Sequence, residues 1–189
     1  MIEIVPYQPR WGEEFRALGT ELRAALGDLA LRIDHIGSTS VPGLAAKDII
    51  DIQVTVAALA PAVADALDHA GYRRATHISR DHVPPGAGDA PAEWTKWLYN
   101  GPPGRQRVNL HVRVAGRANQ RYPLLFRDYL RAHPPIADAY AQAKLALARL
   151  HPNDVAAYYD VKDPVCDIII GGAEEWAAAT SWALGPSDC

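Results

Sequence analysis

Two short segments carry polar side chains at alternate positions among aliphatic ones. In residues 50–56, Asp51, Gln53 and Thr55 alternate with Ile50, Ile52, Val54 and Val56. In residues 108–114, Asn109, His111 and Arg113 alternate with Val108, Leu110, Val112 and Val114. A period of two turns each polar set to one side of a strand. One face would then pack on helices, and the other would offer a carboxylate, an imidazole, two amides and a guanidinium. A solvated sheet face gives the same alternation, so the loop ahead of Asp51 is what favours a site. That loop begins Gly37-Ser38-Thr39-Ser40 and continues through Gly43. Glycine lets the backbone approach a ligand closely, and hydroxyls beside free N–H groups suit a phosphate. A carboxylate on the adjoining strand is the kind of group that shares Mg2+ with substrate phosphates. Lys47, just before that strand, is placed to reach a phosphate as a point charge.

The charge pattern points the same way. The chain of 189 residues has a net charge of −3, which argues against a dedicated nucleic-acid binder. Between Arg105 and Arg131, however, seven arginines face one acid, Asp128, so this stretch is +6 and the remainder −9. Such a block is expected at a small anionic ligand, unless its arginines are simply solvated. Arg113, on the face of His111, is the arginine first expected there. A composition of 49% hydrophobic and 22% charged residues is that of a soluble globular protein. The two cysteines, Cys166 and Cys189, exclude a disulfide framework and a four-cysteine zinc site. The first twenty residues hold Glu3, Arg10, Glu13, Glu14 and Arg16 and no apolar leader, and no apolar run is long enough to span a bilayer. A cytoplasmic protein without a membrane partner is expected.

The elements that must position these residues follow from periodicity. Trp11, Phe15, Leu18, Leu22 and Leu26 recur at helical spacing and stop at Gly27. Strands are expected over 29–36 and 49–56, a helix over 61–70 and a strand over 72–79. Residues 80–91 form a loop long enough for a lid. Residues 94–100 and 108–114 read as an antiparallel hairpin. Helices follow from Tyr122, with breaks at His133-Pro134-Pro135 and His151-Pro152, and a last one over 164–184. Within that last helix Cys166 has no basic neighbour and reads as packing. The chain is expected to be one α+β domain spanning 1–189, with a mixed sheet in about 1–115 and a helical part in about 117–185.

The stretch HIGSTSVPGLAAKDIIDIQV resembles the signature of the GrpB family, bacterial proteins with a nucleotidyltransferase-like fold. VNLHVRV resembles the family's second strand and LLFRDYLRAHP its following helix, so the resemblance runs from about Tyr7 to about Ile170. It implies a nucleotidyltransferase-like mixed β-sheet with helices on one side and a helical C-terminal portion. It also implies a nucleoside triphosphate, a divalent metal (Mg2+ or Mn2+) and transfer of a nucleotidyl or phosphoryl group to a small acceptor. By that resemblance Gly37 and Ser38, continued by Thr39 and Ser40, hold phosphates, and Asp51 ligates the metal. The place of a second acid is taken by Gln53, and that of a third by His111. The implied catalytic set is therefore Asp51, Gln53 and His111, with Asp51 and His111 as metal ligands and the imidazole admitting Zn2+. Lys47, Arg113 and Lys162 complete the anion contacts, Lys162 resembling a family lysine between the last helices. Asp34 and Asp48 read as out of phase with Asp51. One carboxylate is few for a two-metal site, and restoring an acid at position 53 is expected to strengthen divalent-metal binding. Two other readings stay open: a nucleotide-binding sensor domain without catalysis, and a metal-dependent hydrolase or lyase built on aspartate and histidine. The oligomeric state is not readable.

Overall fold

The spacing of Trp11, Phe15, Leu18, Leu22 and Leu26 becomes the buried face of α1 (Arg10–Leu26) in the computed structural model, which describes residues 1–189. Gly27, at a φ of 50°, ends the helix where a side chain would be strained. A single 3-10 turn occupies the next residues, so β1 starts only at Arg32 and runs to Ile36. Then come β2 (Ile50–Val56), α2 (Pro61–His69), β3 (Arg73–Arg74), α3 (Pro91–Trp94), β4 (Trp97–Asn100) and β5 (Val108–Val114). Three long helices close the chain: α4 (Ala118–Ala132), α5 (Pro134–Leu150) and α6 (Val155–Thr180).

The strands form one mixed sheet in the order β1-β2-β5-β4-β3, with β2 and β5 parallel and the other pairs antiparallel. Its aliphatic face, with Ile33, Ile50, Ile52, Val54, Leu110 and Val112, packs against α1 and α2 in the main core. The polar face lies beneath the helical C-terminal part. There α4 takes a hydrogen bond from Gln53 to the Gln120 carbonyl at 2.9 Å and gives one from Arg127 to the His35 carbonyl at 3.0 Å. This is the mixed α+β architecture that the alternation implied.

Besides the later start of β1 and the start of α4 at Ala118 rather than Tyr122, three elements differ from expectation. The strand expected over 72–79 shrinks to Arg73–Arg74 plus one isolated bridge between Arg80 and Thr95. Pro91 opens a helical turn rather than allowing an early start to β4, and the Trp94 indole donates to the Gly88 carbonyl at 2.7 Å. The third difference bears on the site. α6 starts at Val155, with the Asp154 side chain accepting from Ala157 N at 2.9 Å, and carries Pro164 inside it. Proline suits a first helical position, but aspartate is the stronger cap and sets the start nine residues earlier, at Val155.

Beyond α6 the chain returns to the outer edge of β1. Ser187 Oγ accepts from Ile33 N at 2.9 Å, Asp188 Oδ2 accepts from His35 N at 2.9 Å, and Cys189 N donates to the Ile33 carbonyl at 3.1 Å. No helix is long and apolar enough to cross a membrane. Leu22 and Ile52 are at most 1% exposed, whereas Ile168 is 77% exposed. Leu22→Ala or Ile52→Ala is expected to cost about 2–5 kcal/mol in urea denaturation, and Ile168→Ala to stay within about 0.5 kcal/mol of the parent.

Candidate functional site

Parallel pairing sets Asp51 opposite Asn109, Gln53 opposite His111 and Thr55 opposite Arg113, so both polar sets share one face. Antiparallel pairing sets Ile36 opposite Asp51 and Asp34 opposite Gln53. Asp34 therefore lies on the same face, contrary to its reading as out of phase, because strand register and not residue parity decides the match. It is fully buried and held by Arg32 at 2.8 and 3.1 Å. Asp48 is likewise engaged, by the Trp11 indole at 2.8 Å and by Arg10 at 2.5 Å.

A cavity of about 690 Å3 opens where β1 ends and β2 begins. Gly37, Ser38, Thr39, Lys47, Asp51, His111 and Lys162 all line it; Ser40, Gln53 and Arg113 do not. Gly37 has a φ of 69°, and a Cβ on it would stand 2.9 Å from Asp51 Cβ, so only glycine lets the turn pass against the carboxylate. Ser40 faces away, its hydroxyl donating to the Gly37 carbonyl at 2.6 Å. Asp51 accepts from Asn109 Nδ2 at 2.9 Å and lies 3.8 Å from His111 Nε2. Burial alone would raise its carboxyl, but His111 and Asn109 hold it below the ordinary carboxylate range.

The opposite wall comes from the helices, with Tyr122 and Phe126 of α4, Tyr140 and Lys144 of α5, and Tyr158 and Tyr159 of α6. Lys144, which the sequence reading missed, donates to Ser38 Oγ at 2.8 Å and to the Ala45 carbonyl at 2.6 Å. Burial, aided by the charge of Lys162, pushes it down to about 7. Its signal was present, since it falls on the buried face of α5 with Tyr140, Ala141 and Leu147. Lys47 sits 4.4 Å from the Tyr158 ring centroid and is lowered by burial and by Lys162. Lys162 lies in α6 itself, one turn before Cys166, with Nζ 3.6 Å from the sulfur. Cys166 lines the cavity and does have a basic neighbour, and the late helix start expected at Pro164 is what hid that spacing.

Beneath His111 lies a second group of charges. Arg113 gives two hydrogen bonds to Asp81, both at 2.9 Å, and one to Gln53 Oε1 at 2.7 Å. Lys96 donates to Asp81 at 2.6 Å, and Asn119 does so at 3.0 Å. Arg113 is thus committed to Asp81 and not open to an anion, and Gln53 spans from Arg113 to the Gln120 carbonyl, away from the cavity. An acid at position 53 would face Arg113 and could not donate to that carbonyl, so it would not extend a metal site. Asp81 also fastens the start of the segment read as a lid. Nothing in the local sequence marks it, because its partners lie 15, 32 and 38 residues away.

The remaining arginines of the +6 block are mostly paired. Arg105 binds Glu21, Arg117 binds Glu93, Arg121 binds Glu174, and Arg127 binds Asp128 and Asp188. Arg131 donates to the Ser40 carbonyl, and Arg107 alone of the seven lines the cavity. The cations that face it are otherwise lysines.

Burial would raise the Asp81 carboxyl, yet Arg113 and Lys96 hold it well below the usual range. Asp81→Ala leaves two buried cations unpaired and is expected to cost about 3–5 kcal/mol in equilibrium denaturation. His35 and His111 are both pushed down to about 4 by burial, His111 also by Arg113. The unfolded chain, with histidines near 6.5, takes up protons first as pH falls. Stability is therefore expected to drop between about pH 6.5 and 4, by up to about 1.4 kcal/mol per pH unit for each histidine. Urea midpoints across this range check it, and His111→Gln should flatten the slope.

A family model described as GrpB protein matches residues 1–171. Among solved structures, the conserved protein GrpB from Enterococcus faecalis superposes with a TM-score of 0.74 at 30% identity, covering 92% of this chain and 99% of that one. A UPF0157 protein of Pseudomonas aeruginosa is 38% identical over 91% of this chain and 67% of its own length. A dephospho-CoA kinase of Mycolicibacterium paratuberculosis is 38% identical over 96% of this chain but 48% of its own length, so the chain spans about half of such relatives. Over its fold and nearly all its length, this chain belongs to the GrpB family.

Proposed function

We propose that the cavity binds a nucleoside triphosphate and supports transfer of a nucleotidyl or phosphoryl group to a small acceptor. The observation that carries this reading is the convergence of Lys47, Lys144 and Lys162 on the cavity that holds the Gly37-Ser38 turn with the Asp51 carboxylate packed against it. Lysines at such a turn suit phosphate oxygens, which accept from ammonium and backbone N–H groups alike. The aromatic wall of Tyr122, Phe126, Tyr158 and Tyr159 suits a base, and about 690 Å3 is ample for a nucleotide.

The donor set fits one metal ion at most. No group of three or more His, Cys, Asp or Glu side chains is arranged to hold a metal. Asp51 would be the one protein carboxylate for a Mg2+ carried in on the phosphates, where the ion supplies charge neutralisation. The lysines take over the rest of that neutralisation in this reading. The scarcity of carboxylates favours a second reading, nucleotide binding without transfer. The aspartate–histidine hydrolase loses ground for the same reason. Abundant triphosphates in the cytoplasm go with either nucleotide reading.

A thermal-shift panel of ATP, GTP, CTP and UTP, with and without Mg2+, tests the proposal. A nucleotide at about 100 times its dissociation constant should stabilise the fold by about 2.7 kcal/mol. Asp51→Asn is expected to remove the Mg2+ dependence with the fold intact, and Lys144→Met to weaken binding about tenfold. Affinity should rise as pH falls from 8 to 6, because Lys144 gains its proton across about pH 7. No stabilisation by any nucleotide would overturn the reading. Binding without release of pyrophosphate or nucleoside diphosphate across a set of small hydroxyl acceptors would select the second.

A further inference from the structure

The imidazole of His111 is wired from behind. Its Nδ1 stands 3.4 Å from Lys96 Nζ and 3.3 Å from Arg113 Nη2. An ammonium and a guanidinium have only hydrogens to offer, so Nδ1 meets both with its lone pair. A neutral imidazole carries one ring proton, and that proton is then on Nε2. The same Nε2 is the atom nearest the cavity carboxylate, 3.8 Å from Asp51 Oδ1.

This polarity is the reverse of a metal ligand's. A histidine that binds a metal through one nitrogen donates the other N–H to a carboxylate or a carbonyl. Here the far nitrogen faces two cations, both tied to Asp81 and both buried, Lys96 at 7% and Arg113 at 4% exposure. The ring can neither swap its proton to Nδ1 without meeting those cations nor free the Nε2 lone pair for an ion. The same arrangement gives Lys96 a second role beside its pair with Asp81.

We propose that His111 is a fixed hydrogen-bond donor, presenting Nε2–H beside Asp51 to an oxygen of the bound ligand, and that Lys96 and Arg113 are positioning residues that set this tautomer. The ligand oxygen, a phosphate oxygen, rests on the nucleotide reading above; the tautomer belongs to the ligand-free protein. The expected contribution is transition-state or ground-state contact with oxygen charge, without proton uptake by the ring.

Long-range proton–nitrogen NMR of the 15N-histidine-labelled full chain at pH 7 tests this, with His111→Gln to assign the ring. The expected pattern is a protonated Nε2 and a bare Nδ1, unchanged when Mg2+ is added. Lys96→Met should move the Nδ1 resonance and admit the Nδ1-protonated form, while Lys96→Arg keeps the parent pattern. On titration with Mg-ATP the Nε2–H resonance should shift, and His111→Leu should weaken ATP about tenfold, the worth of one hydrogen bond to a charged group. A protonated Nδ1 in the parent protein, or loss of the Nε2 proton on Mg2+ addition, overturns the proposal. An Nδ1 resonance unmoved by Lys96→Met overturns the role of Lys96. If ATP fails to bind while the tautomer pattern holds, the nucleotide reading fails and the donor assignment stands.

Discussion

Two cationic side chains, Lys96 and Arg113, are buried side by side on the polar face of the sheet, and one carboxylate keeps them there. Asp81 lies within 2.9 Å of both and also receives Asn119 from α4. Unpaired, either cation would carry a desolvation cost of several kcal/mol, a large share of a small domain's stability. Paired, they anchor a chain of contacts that ends at the cavity. Arg113 orients Gln53, Gln53 reaches the α4 backbone, and both cations face the back of His111. The sheet, the fastened loop and the helical layer therefore meet at a single acid that does not line the cavity. Its position explains why a glutamine stands where an acid was expected. Position 53 needs both a donor for the Gln120 carbonyl and an acceptor for Arg113, and an amide supplies the two at once.

The sheet and its two faces were legible in the sequence because a period of two survives in residues 50–56 and 108–114. The cavity's turn and carboxylate, Gly37, Ser38 and Asp51, were legible as types at a spacing. What was not legible depends on pairing across the fold. Asp34 joined the polar face through antiparallel register. Cys166 gained Lys162 as a neighbour once Asp154, not Pro164, capped α6. Lys144 announced itself only as a lysine in a buried helical stripe. Asp81 gave no sign, since an aspartate in a loop rich in proline and glycine looks like any solvated acid until its partners arrive from distant elements.

The arginine block shows how composition misleads about a site. Seven arginines gather in one stretch of sequence, but a guanidinium makes two-pronged contacts with carboxylates and is readily used as a structural tie. Most of the seven are so used. Apart from Arg107, the cations facing the cavity are lysines drawn from three separate places, the loop before β2, α5 and α6, and a lysine's point charge adapts to a phosphate without a fixed plane. Of the cations expected from sequence to meet an anion, Lys47 and Lys162 line the cavity and Arg113 does not, because only tertiary structure distinguishes a spent charge from an available one.

The segment that returns along β1 carries a further meaning. An outer strand ordinarily shows a row of unused N–H and carbonyl groups that a second molecule can extend. Here Ser187, Asp188 and Cys189 take up the Ile33 and His35 groups on that side, largely with side-chain atoms that cannot themselves be extended as a ladder. On the far side the sheet stops at the two-residue β3. One margin is therefore occupied and the other very short, the two devices by which a sheet blunts pairing along its edges.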